Sequence, residues 1–86
     1  MTGFELNLSL PADPHLAPML RGLAVQGARQ AGCAEADAED FGRRVEEAAR
    51  ETLGSAGADG TVPVSVRHVT GPVEVVIGAC CVSITP

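Results

Sequence analysis

Asp37-Ala38-Glu39-Asp40-Phe41-Gly42-Arg43-Arg44-Val45-Glu46-Glu47-Ala48-Ala49-Arg50-Glu51-Thr52-Leu53, followed by Val62-Pro63-Val64-Ser65-Val66-Arg67-His68-Val69-Thr70-Gly71-Pro72-Val73-Glu74-Val75-Val76-Ile77, is the stretch that decides the fold. In its first part Phe41, Val45, Ala48, Ala49 and Leu53 recur at i, i+4, i+7, i+8 and i+12, which is one face of an α-helix. Glu35 and Asp37 place negative charge at the start of that helix, where its dipole favours it. In the second part the period drops to two. Val62, Val64 and Val66 alternate with Pro63, Ser65 and Arg67, the pattern of a strand with one buried face. Thr70-Gly71-Pro72 supplies a turn, and a second strand is predicted from Val73 to Ile84. Read as one strand, it is apolar on both faces: Val73, Val75 and Ile77 on one, Val76, Cys80, Val82 and Ile84 on the other. A strand of that kind is buried on both sides. In a single layer of three strands the second face must meet something else, so Cys80, Val82 and Ile84 are the expected self-association interface.

Upstream, Phe4, Leu6, Leu8 and Leu10 alternate with Glu5, Asn7 and Ser9, predicting a half-buried strand over Phe4–Leu10. Pro11-Ala12-Asp13-Pro14 stops it. A helix follows, either capped by Asp13 with Pro14 in its first turn or starting later, around Pro18. Leu16, Leu20, Leu23 and Gly27 form its stripe, with Met19, Ala24 and Ala31 beside it. Gly22 and Gly27 each cost about 1 kcal/mol relative to Ala in a helix interior, and close helix packing is the expected return. Gly32 ends the helix, and the run from Gly54 to Gly60 reads as a flexible loop. The predicted order is strand, helix, helix, strand, strand (β-α-α-β-β). This is an α+β fold, a two-layer α/β sandwich with both helices on one face of the sheet. Residues 1–86 read as a single domain.

A chain of 86 residues buries only about 60–65% of its unfolded surface, so a partner or a second copy would add stability. Apolar residues make up 45%, yet there are two Phe and no Trp or Tyr. Val, Leu and Ala must therefore fill the core. The net charge of −5 and the absence of Lys argue against nucleic acid, which demands clustered cations. The acids gather in Glu35–Asp40 and at Glu46, Glu47 and Glu51, the pattern of a solvated helix face. No run is long and apolar enough to span a bilayer, and no signal peptide is recognisable. Cys33, Cys80 and Cys81 are odd in number, and the last two, as neighbours on a strand, point to opposite faces. Free thiols in a cytoplasmic protein are the expectation.

Three matches in one order carry a resemblance to a known family. Pro11-Ala12-Asp13-Pro14, a helix containing Arg21 and an end at Ala31-Gly32 resemble the first strand and helix of the anti-sigma-factor serine kinases, a branch of the histidine-kinase-like (GHKL) ATPases. The acidic helix with Glu46-Glu47-Ala48 is similar to the helix bearing their N-box. Glu74-Val75-Val76-Ile77 is similar to the strand that leads into their adenine-binding motif. The resemblance covers nearly the whole chain and implies a partial histidine-kinase-like ATPase (Bergerat-type) fold.

The same resemblance exposes departures. The family's N-box sets a Glu four residues before a Mg²⁺-holding Asn, a spacing that puts both on one helix face. Here Glu47 matches the Glu, but Glu51 replaces the Asn, and a second carboxylate repels ATP phosphates unless a metal neutralises it. The adenine-accepting Asp falls at Ala79, which accepts nothing, and Cys80-Cys81 replaces the glycine region. The sequence stops at Pro86, leading to the expectation that the ATP lid and final strands are missing. Glu47, Glu51 and Ala79 are thus degenerate nucleotide positions, and neither catalytic residues nor a cofactor are expected.

The expected function is a non-catalytic interaction module resembling an anti-sigma factor. Family members dimerise and bind sigma factors and antagonist proteins, which implies a homodimer that regulates bacterial transcription or signalling by protein contact. The alternative is a small nucleotide- or metal-binding protein with an altered site around Glu47 and Glu51. As simple solvated acids, Glu47 and Glu51 would pair with Arg43 and Arg50 on their own helix. Cys33, Cys80, Cys81, His15 and His68 match no zinc spacing, and a nucleophilic Cys assisted by His68 has no local support.

Overall fold

Alternation of apolar and polar side chains builds four strands, and a 3.6-residue period builds two helices between the first and second of them. The computed structural model describes residues 3–55, 60–68 and 71–85. Strand β1 (Phe4–Pro11) leads through a short 3-10 turn (Pro14–Leu16) into helix α1 (Ala17–Gln30). Helix α2 (Glu35–Ser55), β2 (Thr61–His68), β3 (Val73–Ile77) and β4 (Cys80–Ile84) follow. The strands form one antiparallel sheet in the order β1-β2-β3-β4. Both helices lie on one face of it, so the two-layer α+β arrangement stands. The order, however, is β-α-α-β-β-β.

The starts and stops of the helices are local chemistry. The Asp13 carboxylate accepts from the His15 backbone N–H at 3.0 Å, which caps the 3-10 turn, and Pro18 occupies the first turn of α1. Both starts offered by the sequence are therefore used, one after the other. At the other end Gly32 adopts φ 99°. That left-handed residue lets the Cys33 amide reach the Ala28 carbonyl at 3.0 Å and the Gly32 amide reach Arg29 at 3.1 Å, a Schellman closure. The predicted loop begins later than expected, because Gly54 and Ser55 belong to α2. Residues 56–59 of it, and Val69 and Thr70 of the β2–β3 turn, lie outside the described residues.

The last strand differs most from its expectation. Val73–Ile84 is not one strand but two, reversed at Gly78-Ala79. Gly78 takes φ 60° and Ala79 a negative φ, the sign pattern of a type II′ hairpin turn, which needs Gly at its first central position. The reversal changes which way the side chains face. Ile77 pairs with Cys80, Val75 with Val82 and Val73 with Ile84, so these six share one face of the sheet. Cys80, Val82 and Ile84 therefore lie on the helix-packed side. The second apolar face from which a self-association surface was expected does not form: the outer face of the β3–β4 hairpin is Glu74, Val76, Cys81 and Ser83.

The core sits between that inner face and the two helices. Phe41, Leu20, Leu53, Ile77 and Val45 are its largest fully buried side chains, each adding about 1.5–3 kcal/mol by burial. Of the expected stripe of α2, Phe41, Val45, Ala49 and Leu53 are buried, with Ala38 and Gly42 added, while Ala48 is half-buried. The buried arc of α1 keeps Leu20, Ala24 and Gly27 of the expected set and adds Ala17, Val25 and Ala28, while Leu16 and Leu23 are only half-buried and Met19 is 46% exposed. Val25 is buried because it faces α2: a Cβ on Gly42 would stand 2.4 Å from its Cγ2 and 3.2 Å from the Arg21 carbonyl oxygen.

Two glycines in the helices thus have opposite roles. Gly22, expected to permit close packing, has nothing within 4 Å of where its Cβ would be. Gly22→Ala is predicted to stabilise the protein by about 0.5–1 kcal/mol through helix propensity alone. Gly42→Ala gains the same propensity but overpacks the crossing, for a net loss of about 1–2 kcal/mol. Urea unfolding of both variants checks this, and a Gly42→Ala protein as stable as Gly22→Ala would refute the account of the crossing.

Candidate functional site

The acidic face of α2 carries the two residues singled out for nucleotide chemistry. Glu47 and Glu51 are one turn apart and both exposed. Glu47 accepts from Arg43 at 3.4 Å, but Arg43 is held more closely by Asp40, at 2.8 Å. The Arg43 hydrogen bond keeps the Asp40 carboxyl below the ordinary carboxylate range, and Asp40 in turn raises Arg43. Glu51 has no ion pair among the described residues. The pairing foreseen for Arg50 goes to Glu46, at 3.1 Å.

The rest of the acidic cluster is used between the helices. Arg21 of α1 reaches Glu46 at 3.3 Å and Glu39 at 3.7 Å. Arg29 reaches Glu35 at 2.8 Å and Glu39 at 3.5 Å. Exposed pairs of this kind contribute about 0–1 kcal/mol each, so they follow the packing of α1 on α2 more than they determine it. All six Arg of the chain are paired in this way, Arg67 through Glu5 at 3.9 Å and Arg44 through Asp40 at 3.3 Å.

Ala79, at the position that the adenine-accepting Asp would hold, is exposed in the β3–β4 turn. The sulfur and imidazole groups do not converge. Cys80 lies at one end of the inner face, its sulfur 3.4 Å from the Thr52 hydroxyl, which donates to it. Cys81 points to the outer face, opposite Val76. His68 lies four residues along β2 from Val64, the residue level with Ile77 and Cys80, a separation of about 13 Å along the strand. His15 is on the surface beside Asp13, at 2.9 Å. Among the described residues, no three His, Cys, Asp or Glu side chains come together as a metal site.

Two shallow depressions lie elsewhere. One is on the open outer face of the sheet, about 180 Å³, over Asn7, Pro63, Ser65 and Val76. The other, about 140 Å³, runs between β1 and α1 past Phe4, Leu6, Leu23 and Gly27. Neither includes Glu47 or Glu51. The sequence carried a sign of the second in the stripe Leu23–Gly27, where a glycine leaves room above Phe4, whose ring comes within 3.3 Å of a Cβ built at Gly27.

His68 was weighed as a ligand or a base, yet it is a core residue. It is 7% exposed and packs against Phe4 with ring centroids 5.7 Å apart. Its Nδ1 is buried and finds no hydrogen-bond partner among the described residues. An unsatisfied buried polar atom costs about 1–3 kcal/mol. His68→Leu is therefore predicted to hold or raise the unfolding midpoint, and a fall of more than about 1 kcal/mol would show that the imidazole has a favourable role.

Comparison with protein-family models, with curated proteins and with solved structures found no match. The chemistry of the candidate positions is thus judged from this chain alone. Among the described residues no helix is long and apolar enough to cross a membrane.

The thiols differ in a way that labelling reads directly. Cys80 and Cys81 are exposed, whereas Cys33 is half-buried behind the end of α1. Burial, with the charge of Asp37, pushes the Cys33 thiol above its ordinary range. A thiol of raised pKa is mostly protonated at neutral pH and reacts slowly. Iodoacetamide at pH 8 is predicted to modify Cys80 and Cys81 first and Cys33 last, as read by mass spectrometry of peptides. Equal rates at all three would contradict this.

Proposed function

We propose that this chain is a non-catalytic protein-interaction module: a degenerate relative of the anti-sigma-factor kinases that keeps a partial histidine-kinase-like frame without the ATP chemistry. The order of one strand, two helices and antiparallel strands supports the frame. The observation that carries the loss of chemistry is the turn at Gly78-Ala79. Where the resembled kinases place an acceptor for the adenine amino group, this chain reverses direction and offers a methyl group. Arg43 already occupies Glu47, and an unpaired Glu51 beside it repels a triphosphate.

Contact with another protein is the use of the frame that the resemblance suggests. By analogy with the resembled family, the partner is a sigma factor or its antagonist, and the working form is a homodimer. Fold analogy alone suggests these partners, so the test has two arms. Calorimetric titration with Mg–ATP into the millimolar range is predicted to show no saturable heat. Gel filtration with purified sigma factors of the same cell is predicted to give a complex that ATP does not alter. Saturable Mg–ATP binding that Glu47→Gln or Glu51→Gln abolishes would overturn this reading in favour of an altered nucleotide site.

A further inference from the structure

We propose that two copies of this chain associate through the free edge of β1, joining their sheets across a two-fold axis and burying the groove between β1 and α1 of each copy. The proposal deepens the reading above, on which it rests only for the expectation that the chain self-associates. It moves the contact from Cys80, Val82 and Ile84 to the opposite side of the sheet.

The edge itself is the first argument. In the order β1-β2-β3-β4 the outer sides of β1 and β4 pair with no other strand among the described residues. Natural edges are blunted by Lys, Pro, bulges or brevity. β1 runs for eight residues and is paired with β2 in unbroken register from Phe4 to Pro11. Its one proline is at the very end, and its one charge, Glu5, points to the outer face. β4 is shorter, at five residues, and Val82 and Ile84 on its inner side already pack against the core.

The groove is the second. Leu6, in the middle of β1, points to the helix side of the sheet yet is 41% exposed. Phe4, Leu6 and Val66 line the groove from the sheet, and Leu23, Gln26 and Gln30 line it from α1. The groove therefore runs alongside the open edge, where an added strand would lay its own inner-face side chains.

Charge permits a second copy at this groove, and the register of β1 selects one. The chain carries a net charge of −5, so most approaches of one copy to another bring carboxylates together. The acids are concentrated on α2, which lies over the β3–β4 side, and no residue lining the groove is charged. β1 is also complementary to itself. With Leu6 opposite Leu6 of the second copy in an antiparallel pair, Phe4 faces Leu8 and Glu5 faces Asn7. Apolar residues stay on the inner face of both copies, and no like charges stand opposite. A pairing of β1 with the second copy's β4 leaves an edge free at each end and does not close, whereas β1 with β1 closes as a dimer.

Sedimentation at micromolar concentrations and cross-linking test this together. The wild-type chain is expected to sediment as a dimer. Leu6→Arg should weaken the dimer by at least roughly tenfold without lowering the unfolding midpoint of the monomer, since Leu6 is outside the buried core. With Cys33, Cys80 and Cys81 changed to Ser so that the native free thiols give no background, Leu6→Cys should form a disulfide between copies under mild oxidation, because residues directly opposite on antiparallel strands are within bridging distance. Glu5→Cys, offset by two residues from its equivalent, should not. This second variant reads the contact even if Leu6→Arg fails to fold. A wild-type monomer, a dimer that Leu6→Arg leaves intact, or no cross-link at Leu6→Cys each overturns the proposal. A complex with a sigma factor would survive any of these, and saturable Mg–ATP binding would sink the functional reading while leaving the dimer contact standing.

Discussion

The close crossing of α1 and α2 at Gly42 is the contact on which the rest of the structure depends. With two Phe and no Trp or Tyr, the core has few large side chains to bridge gaps between layers. The layers must therefore come near one another. Ala17, Ala24, Ala28, Ala38 and Ala49 are all fully buried, and Gly42 lets Val25 sit where a Cβ would be. Because the helices meet this closely, Phe41, Val45 and Leu53 join the valines of β2 and β3 in one core cluster. Interiors are packed to crystal-like density, so a change of one methyl group at such a seam is felt across the layer.

That packing also accounts for the charges. Once α1 and α2 lie together, their solvent edges bring Arg21 and Arg29 beside Glu35, Glu39 and Glu46. The acidic cluster is then mainly a consequence of the helix pair, with most of its carboxylates already matched by guanidinium groups. A metal or a triphosphate at Glu47 and Glu51 would have to compete with Arg43 in a solvent-exposed place with no enclosing wall. Strong electrostatic chemistry needs a site where water is excluded, and this helix face offers none.

Much of this was legible in the residues. The stripe of α2, the alternation in β1 and β2, the caps at Asp13 and Gly32 and the placement of both helices on one face all follow from local periodicity and turn chemistry. The hairpin at Gly78-Ala79 was also written there, as a Gly followed by a small residue between two apolar runs. It was obscured because Val75, Val76 and Ile77 on one side and Cys80, Cys81 and Val82 on the other read as one continuous apolar strand. Periodicity does not register a two-residue reversal. The burial of Ala17, Val25 and Ala28 in α1 was hidden for a different reason: small side chains mark a helix-to-helix contact by smallness, whereas hydrophobic periodicity weights the larger Leu16 and Met19. Glu47, Glu51 and Ala79 were found where the sequence put them, but exposure, partners and the direction of the chain after Ile77 are tertiary facts.

The reversal at Gly78 has an effect well beyond its own turn. A single strand from Val73 to Ile84 would have offered two apolar faces and left the sheet with three strands. Two strands instead fold the apolar residues of this segment onto the helix side, except Val76 and Cys81 on the outer face and Ala79 in the turn. The outer face is left with Glu5, Arg67 and Glu74 in one row across the strands and Asn7, Ser65, Val76 and Cys81 in the next. That face has little reason to leave water. On the sheet, the large exposed apolar side chain is Leu6 at the rim, which stands over a groove beside the outer edge of β1. Hydrophobic area and unpaired amides coincide there, and a partner that supplies a strand satisfies both at once, whereas one that supplies only a flat apolar surface leaves the amides of β1 unmet.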